Sequence, residues 1–150
     1  MLGVETSELV PVLQTAVSPV VLISGVGLLL LTMTNRLGRI VDRARSLALR
    51  LKEADGEDVE PIHAQLHILG DRARMVRRSI ALAGFCVLFA ALLVISLFLT
   101  ALFGADIPWL VGAFFILSLL CLVGSLVEFI RDVNRSLEAT SLEVGEDWEK

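Results

Sequence analysis

The sequence predicts an all-α membrane protein with three transmembrane helices, the first and second extended into a cytoplasmic antiparallel helical hairpin. Three observations lead there. The 150 residues are 55% hydrophobic, with a mean hydropathy of +0.77, too apolar for a soluble domain that must cover a small core with polar surface. The apolar residues gather in three runs, each long enough to cross a bilayer. Charge is segregated: of 13 basic residues, 10 lie between Arg36 and Arg78, and none precedes Arg36. The formal net charge of -4 conceals that asymmetry.

The chain opens with a short external segment, 1–11, which is acidic at Glu5 and Glu8. It lacks the positive region of a secretory signal, so the first apolar run is expected to stay as a membrane anchor. That run, 12–34, reaches roughly 34 Å as a helix, enough for a hydrocarbon core of about 30 Å. Pro19 lies inside it and is expected to kink the helix. The run ends abruptly at Asn35, and Arg36, Arg39, Arg43 and Arg45 follow without an intervening proline. One helix therefore carries the chain from lipid into water.

Residues 35–78 have the pattern of a coiled-coil-like hairpin. Leu37, Ile40, Ala44, Leu47 and Leu51 recur at spacings of three and four, and so do Ile62, Leu66, Leu69, Ala73, Val76 and Ile80. Each set is a heptad seam. The tip is 55–61, where Gly56 suits the end of one arm and Pro61 the start of the other. The alternative is a pair of amphipathic helices lying flat on the membrane; the matched arms and the compact acidic tip argue against it.

The second span is 79–103 and the third 108–130, joined by an external turn at 104–107. Pro108 suits a first helical turn and Trp109 a water–lipid boundary. Basic segments stay on the cytoplasmic side. The chain is thus expected in the bacterial inner (plasma) membrane as a multi-pass protein. Its N-terminus lies outside, and an acidic tail, 131–150, lies in the cytoplasm.

Together, the Leu-rich end of the first span, Asn35 to Arg39, Val41 to Arg45, the second arm ending in Arg77 and Arg78, and the two further spans resemble a bacterial membrane family catalogued as domain of unknown function 2721. The resemblance covers roughly residues 10–138 of the chain. It implies a helical inner-membrane protein. It brings no established activity and no functional residues.

Candidate sites are few. Arg36, Arg39, Arg43, Arg45, Arg72, Arg74, Arg77 and Arg78 form a belt expected to attract anionic lipid headgroups, at about 1 kcal/mol per basic side chain. His63, His67 and Asp71 share one helical stripe and are weak metal candidates, or a pH-sensing pair, but the usual adjacent Glu or Cys is missing. The favoured reading is a solvated face flanking the seam. Glu128 is the acidic residue inside a predicted span, so an interfacial ion pair with Arg77, Arg78 and Arg131 is expected, with proton or ion handling as the alternative. Cys86 and Cys121 sit in apolar runs and read as packing residues. No phosphate loop, catalytic carboxylate pair or nucleophile with a general base appears, and both histidines lie outside the spans, where they cannot ligate an intramembrane haem. The reading is non-enzymatic, with no cofactor, no metal and no nucleic-acid partner.

Thr15, Ser18, Gly25 and Thr32 lie on a stripe of the first span that ends at Arg36. Small and hydroxyl residues on one face allow close helix approach. The stripe is read as a packing seam, within one copy or between copies, or as the lining of a pore with an anion-favouring Arg36 ring at its mouth. Two functions follow. One is a scaffold that self-associates or organises a membrane complex through its spans and basic hairpin, with a protein partner at the hairpin tip. The other is a homo-oligomeric, anion-leaning ion channel lined by the first span.

Overall fold

A computed structural model describes the backbone of residues 6–53, 59–103 and 108–147, and side chains of residues 10–53 except Val12, 59–103 and 108–134. Among the described residues the chain is all helical, in the order α1 (Thr6–Glu53), α2 (Val59–Phe103) and α3 (Pro108–Asp147). All three are long and apolar enough to cross a membrane.

The helix boundaries follow from local chemistry. Helix α1 is continuous through Pro11 and Pro19 and on past Asn35 to Glu53, with Arg50 and Lys52 near its C-terminal end, where positive charge opposes the helix dipole. Helix α2 begins at Val59, two residues before the expected Pro61. A proline in the first turn costs no bond, because that N–H has no intrahelical acceptor. Helix α3 starts at Pro108, as expected, but continues to Asp147. Leu137, Glu138 and Ala139 are good helix formers and no Pro or Gly interrupts the chain before Gly145. The tip residues 55–58 and the turn 104–107 lie outside the described residues, as do Trp148 to Lys150 and the side chains of the acidic tail.

The helices contribute to two compact units, one made of Met1–Leu31 with Ala81–Gly124, the other of Thr32–Ile80 with Ser125–Lys150. In the first unit the core is Val26, Ala83 and Cys86, with Leu22, Leu30, Val87, Cys121 and Leu122 packed against it. Phe89 stacks with Phe85 and with Phe114, ring centroids 6.4 Å apart in each case. In the second unit Ile40, Leu69 and Val76 are buried, with Leu37, Ala44, Leu47, Ala73 and Ile80 around them. These are seam positions read from the sequence, four from α1 and four from α2, now in one apolar cluster.

Candidate functional site

Helix α3 places Ser118, Ser125 and Asp132 at seven-residue intervals, and all three are buried. Seven residues are close to two helical turns, so the three share one face. Each meets α2. In the first unit Ser118 Oγ donates to the backbone carbonyl of Cys86 (3.2 Å), and lies 3.4 Å from Cys86 Sγ. Both cysteines are free thiols. In the second unit Ser125 Oγ donates to the backbone carbonyl of Ser79 (2.8 Å) and approaches Met33 Sδ of α1 at 4.0 Å. Ser79 Oγ in turn donates to the Met75 carbonyl one turn back (3.2 Å). Small side chains permit this close approach, and a hydroxyl in an apolar core needs the bond.

The third position carries the charge. The Asp132 side chain is 0% exposed, with Arg36 Nε of α1 2.8 Å from one carboxylate oxygen and Arg72 Nε of α2 3.8 Å from the other. The two arginine side chains are themselves only 21% and 29% exposed. Neither carboxylate oxygen receives an aligned hydrogen bond, so the attraction is that of ion-pair contact. The Arg36 guanidinium also lies over the Phe129 ring, 5.8 Å from its centroid, within cation–π range. One carboxylate thus draws α1, α2 and α3 to a single point. A lone buried charge is very costly; its partners are what allow Asp132 to sit there.

Sequence reasoning missed Asp132 and singled out Glu128, one turn earlier. Glu128 is 25% exposed and pairs with Arg131 on its own helix at 3.6 Å. Arg77 and Arg78 do not join it. Both are exposed, while the neighbours Val76 and Ser79 turn inward. The expected four-residue ion pair is therefore corrected to a single exposed-partner pair, and the buried centre lies at Asp132. The available signal was the seven-residue spacing back to Ser125 and Ser118.

The rest of the belt sorts by partner. Arg36 and Arg72 turn to Asp132. Arg74 pairs with Asp71 one turn away. Arg39, Arg43, Arg45, Arg77 and Arg78 are exposed. Of the weak metal candidates, His67 Nδ1 is 3.7 Å from Asp71 Oδ2, and that carboxylate already engages Arg74. His63 is exposed. Among the described residues no group of three potential ligands comes together.

On α1, the stripe residues Thr15, Ser18, Gly25 and Thr32 are all exposed. Among its described side chains, α1 buries Ala16, Val26, Met33 and Ile40. Thr15 Oγ1 bonds back to the Pro11 carbonyl (2.9 Å), and a Cβ added at Gly25 or Gly27 meets nothing within 4 Å. These four small residues therefore lie outside the buried core of the described residues. The arginine at the end of the stripe is the one drawn to Asp132.

A family model described as a protein of unknown function (DUF2721) matches residues 16–142, which include every residue of the Asp132 cluster. No curated protein matches the chain. No solved structure matches it.

Proposed function

We propose, from the premise that the chain belongs to the DUF2721 family of proteins of unknown function, that it is a non-enzymatic scaffold of the bacterial inner membrane. It self-associates or organises a membrane complex through its transmembrane helices and its basic cytoplasmic hairpin. In this reading the N-terminus is outside and the C-terminus cytoplasmic, as the segregation of basic residues requires. The cytoplasmic stretches of α1 and α2 form the antiparallel arms of the hairpin. Their seam residues share one buried cluster, which favours paired arms over two helices lying flat on lipid.

One observation carries the self-association reading. The stripe of Thr15, Ser18, Gly25 and Thr32 faces away from the chain's own core. Glycine and short hydroxyl side chains offer lipid tails little contact, whereas against another helix they permit backbones to approach closely. The channel alternative has less support. It needs Arg36 as a charged ring at a pore mouth, and Arg36 is instead engaged by Asp132 and Phe129.

Particle mass in native-lipid nanodiscs tests the proposal. Wild type is expected as a dimer or larger assembly, and Gly25→Leu, which finds open space within one copy, is expected to dissociate it without unfolding it. A strictly monomeric wild type whose hairpin retrieves no partner ends the scaffold reading. Ion flux through proteoliposomes of the purified protein revives the channel.

A further inference from the structure

We infer that the arginine belt divides by role: Arg39, Arg77 and Arg78 bind the phosphates of anionic lipid headgroups, while Arg36 and Arg72 hold the helix bundle together. The inference rests on the membrane placement proposed above and deepens it by naming the lipid contacts.

Partnership separates the two groups. Arg36 and Arg72 direct their Nε atoms at a carboxylate that is 0% exposed, and Arg74 is engaged by Asp71 on the same helix. Arg39, Arg77 and Arg78 are exposed and make no ion pair among the described residues. An exposed guanidinium with no carboxylate partner among the described residues is matched, at a bilayer surface, by the phosphodiester it can bind with two parallel N–H donors.

Depth narrows the choice further. The apolar run of α1 ends at Thr34 and that of α2 begins at Ser79. At 1.5 Å per residue Arg39 lies about 7.5 Å beyond the first boundary, and Arg77 and Arg78 about 1.5–3 Å beyond the second. A headgroup layer is roughly 5–8 Å thick on each side of the hydrocarbon. These three arginines therefore sit at phosphate level. Arg43 and Arg45, about 13 and 16 Å out, lie past it. Each well-placed basic side chain is worth about a fivefold preference for anionic over neutral lipid.

The test uses the full chain reconstituted in a defined mixture of phosphatidylglycerol and phosphatidylcholine, with retained lipids counted by native mass spectrometry. Wild type is expected to retain phosphatidylglycerol in excess of its bulk fraction. The R39Q/R77Q/R78Q variant is expected to lose that enrichment at an unchanged melting midpoint, and the corresponding Arg→Lys variant to keep most of it. Arg36→Gln is expected to show the converse, a lowered midpoint with the enrichment retained. An R39Q/R77Q/R78Q protein with wild-type enrichment overturns the inference, as does loss of enrichment in Arg36→Gln at intact stability. Displacement of the bound lipid by millimolar inorganic phosphate overturns it too, since the ligand is then the free anion. Copy number is read from the same spectra. A monomer that enriches phosphatidylglycerol sinks self-association alone, and an oligomer without enrichment sinks the lipid site alone.

Discussion

Replacing Asp132 by Asn tests the central contact of the bundle. The change keeps the shape and removes the charge. Two unit charges 4 Å apart attract by roughly 4 kcal/mol at an effective dielectric of about 20. Arg36 is inside that distance, at 2.8 Å, and Arg72 just within it, at 3.8 Å. Removing one member of a buried charge cluster in a soluble protein costs about 3–5 kcal/mol, because the remaining charges are stranded. Here the arginines keep 21% and 29% exposure, which lets water recover part of that, so a loss of about 2–4 kcal/mol is expected. The assay is denaturation in mild detergent, followed by helix content. Glu128→Gln is the internal control: that carboxylate meets a 65% exposed arginine at 3.6 Å, a pair worth less than about 1 kcal/mol. A double-mutant cycle with Arg36→Gln should return a coupling of about 2 kcal/mol between positions 36 and 132. If Asp132→Asn destabilises no more than Glu128→Gln, the carboxylate does not tie the helices together and the electrostatic account fails.

Further outcomes are expected from the apolar and polar core. Met33→Ala removes a side chain only 1% exposed and should cost about 2–5 kcal/mol, whereas Leu28→Ala, at a position 70% exposed, should change the detergent denaturation midpoint little. Ser125→Ala deletes the bond to the Ser79 carbonyl and should cost about 0.6–1 kcal/mol in the same assay; equal stability would mean that bond adds nothing. Ala83→Leu overfills the cluster around Val26 and Cys86, for which about 1–3 kcal/mol of destabilisation is expected. Zinc at micromolar concentration should leave the thermal midpoint unmoved, because Asp71 is held by Arg74 and His63 stands apart; a zinc-dependent rise lost in His67→Ala would restore the metal reading.

Much of the fold was legible because the forces that set it are written in single-helix patterns. Apolar runs located three spans, and spacings of three and four located the seam from Leu37 to Leu47 and from Leu69 to Ile80, which coincide with one cluster. The Asp132 cluster was not legible in the same way. Asp132 follows Arg131 beyond the apolar run, in a stretch that reads as solvated tail, and only the approach of two other helices makes it buried. Glu128 attracted notice because an acid among Leu, Val and Phe looks costly, yet its position on α3 leaves it partly wet. Arg36 and Arg72 were read as belt members because an arginine after a span has a sufficient local explanation. Their shared carboxylate comes from a helix about sixty residues or more along the chain, and no local pattern encodes such a pairing.

The hydroxyl groups of Ser118 and Ser125 each donate to a main-chain oxygen of α2. A peptide carbonyl is present whatever residue occupies the position, so substitution at 79 or 86 cannot delete the acceptor, provided the newcomer is small. The dependence is one-sided: drift is tolerated on α2 within a size limit, while α3 must retain its two serines. Related chains should therefore vary in identity but not in bulk along one helix, and be restricted to hydrogen-bond donors at the facing positions of the other.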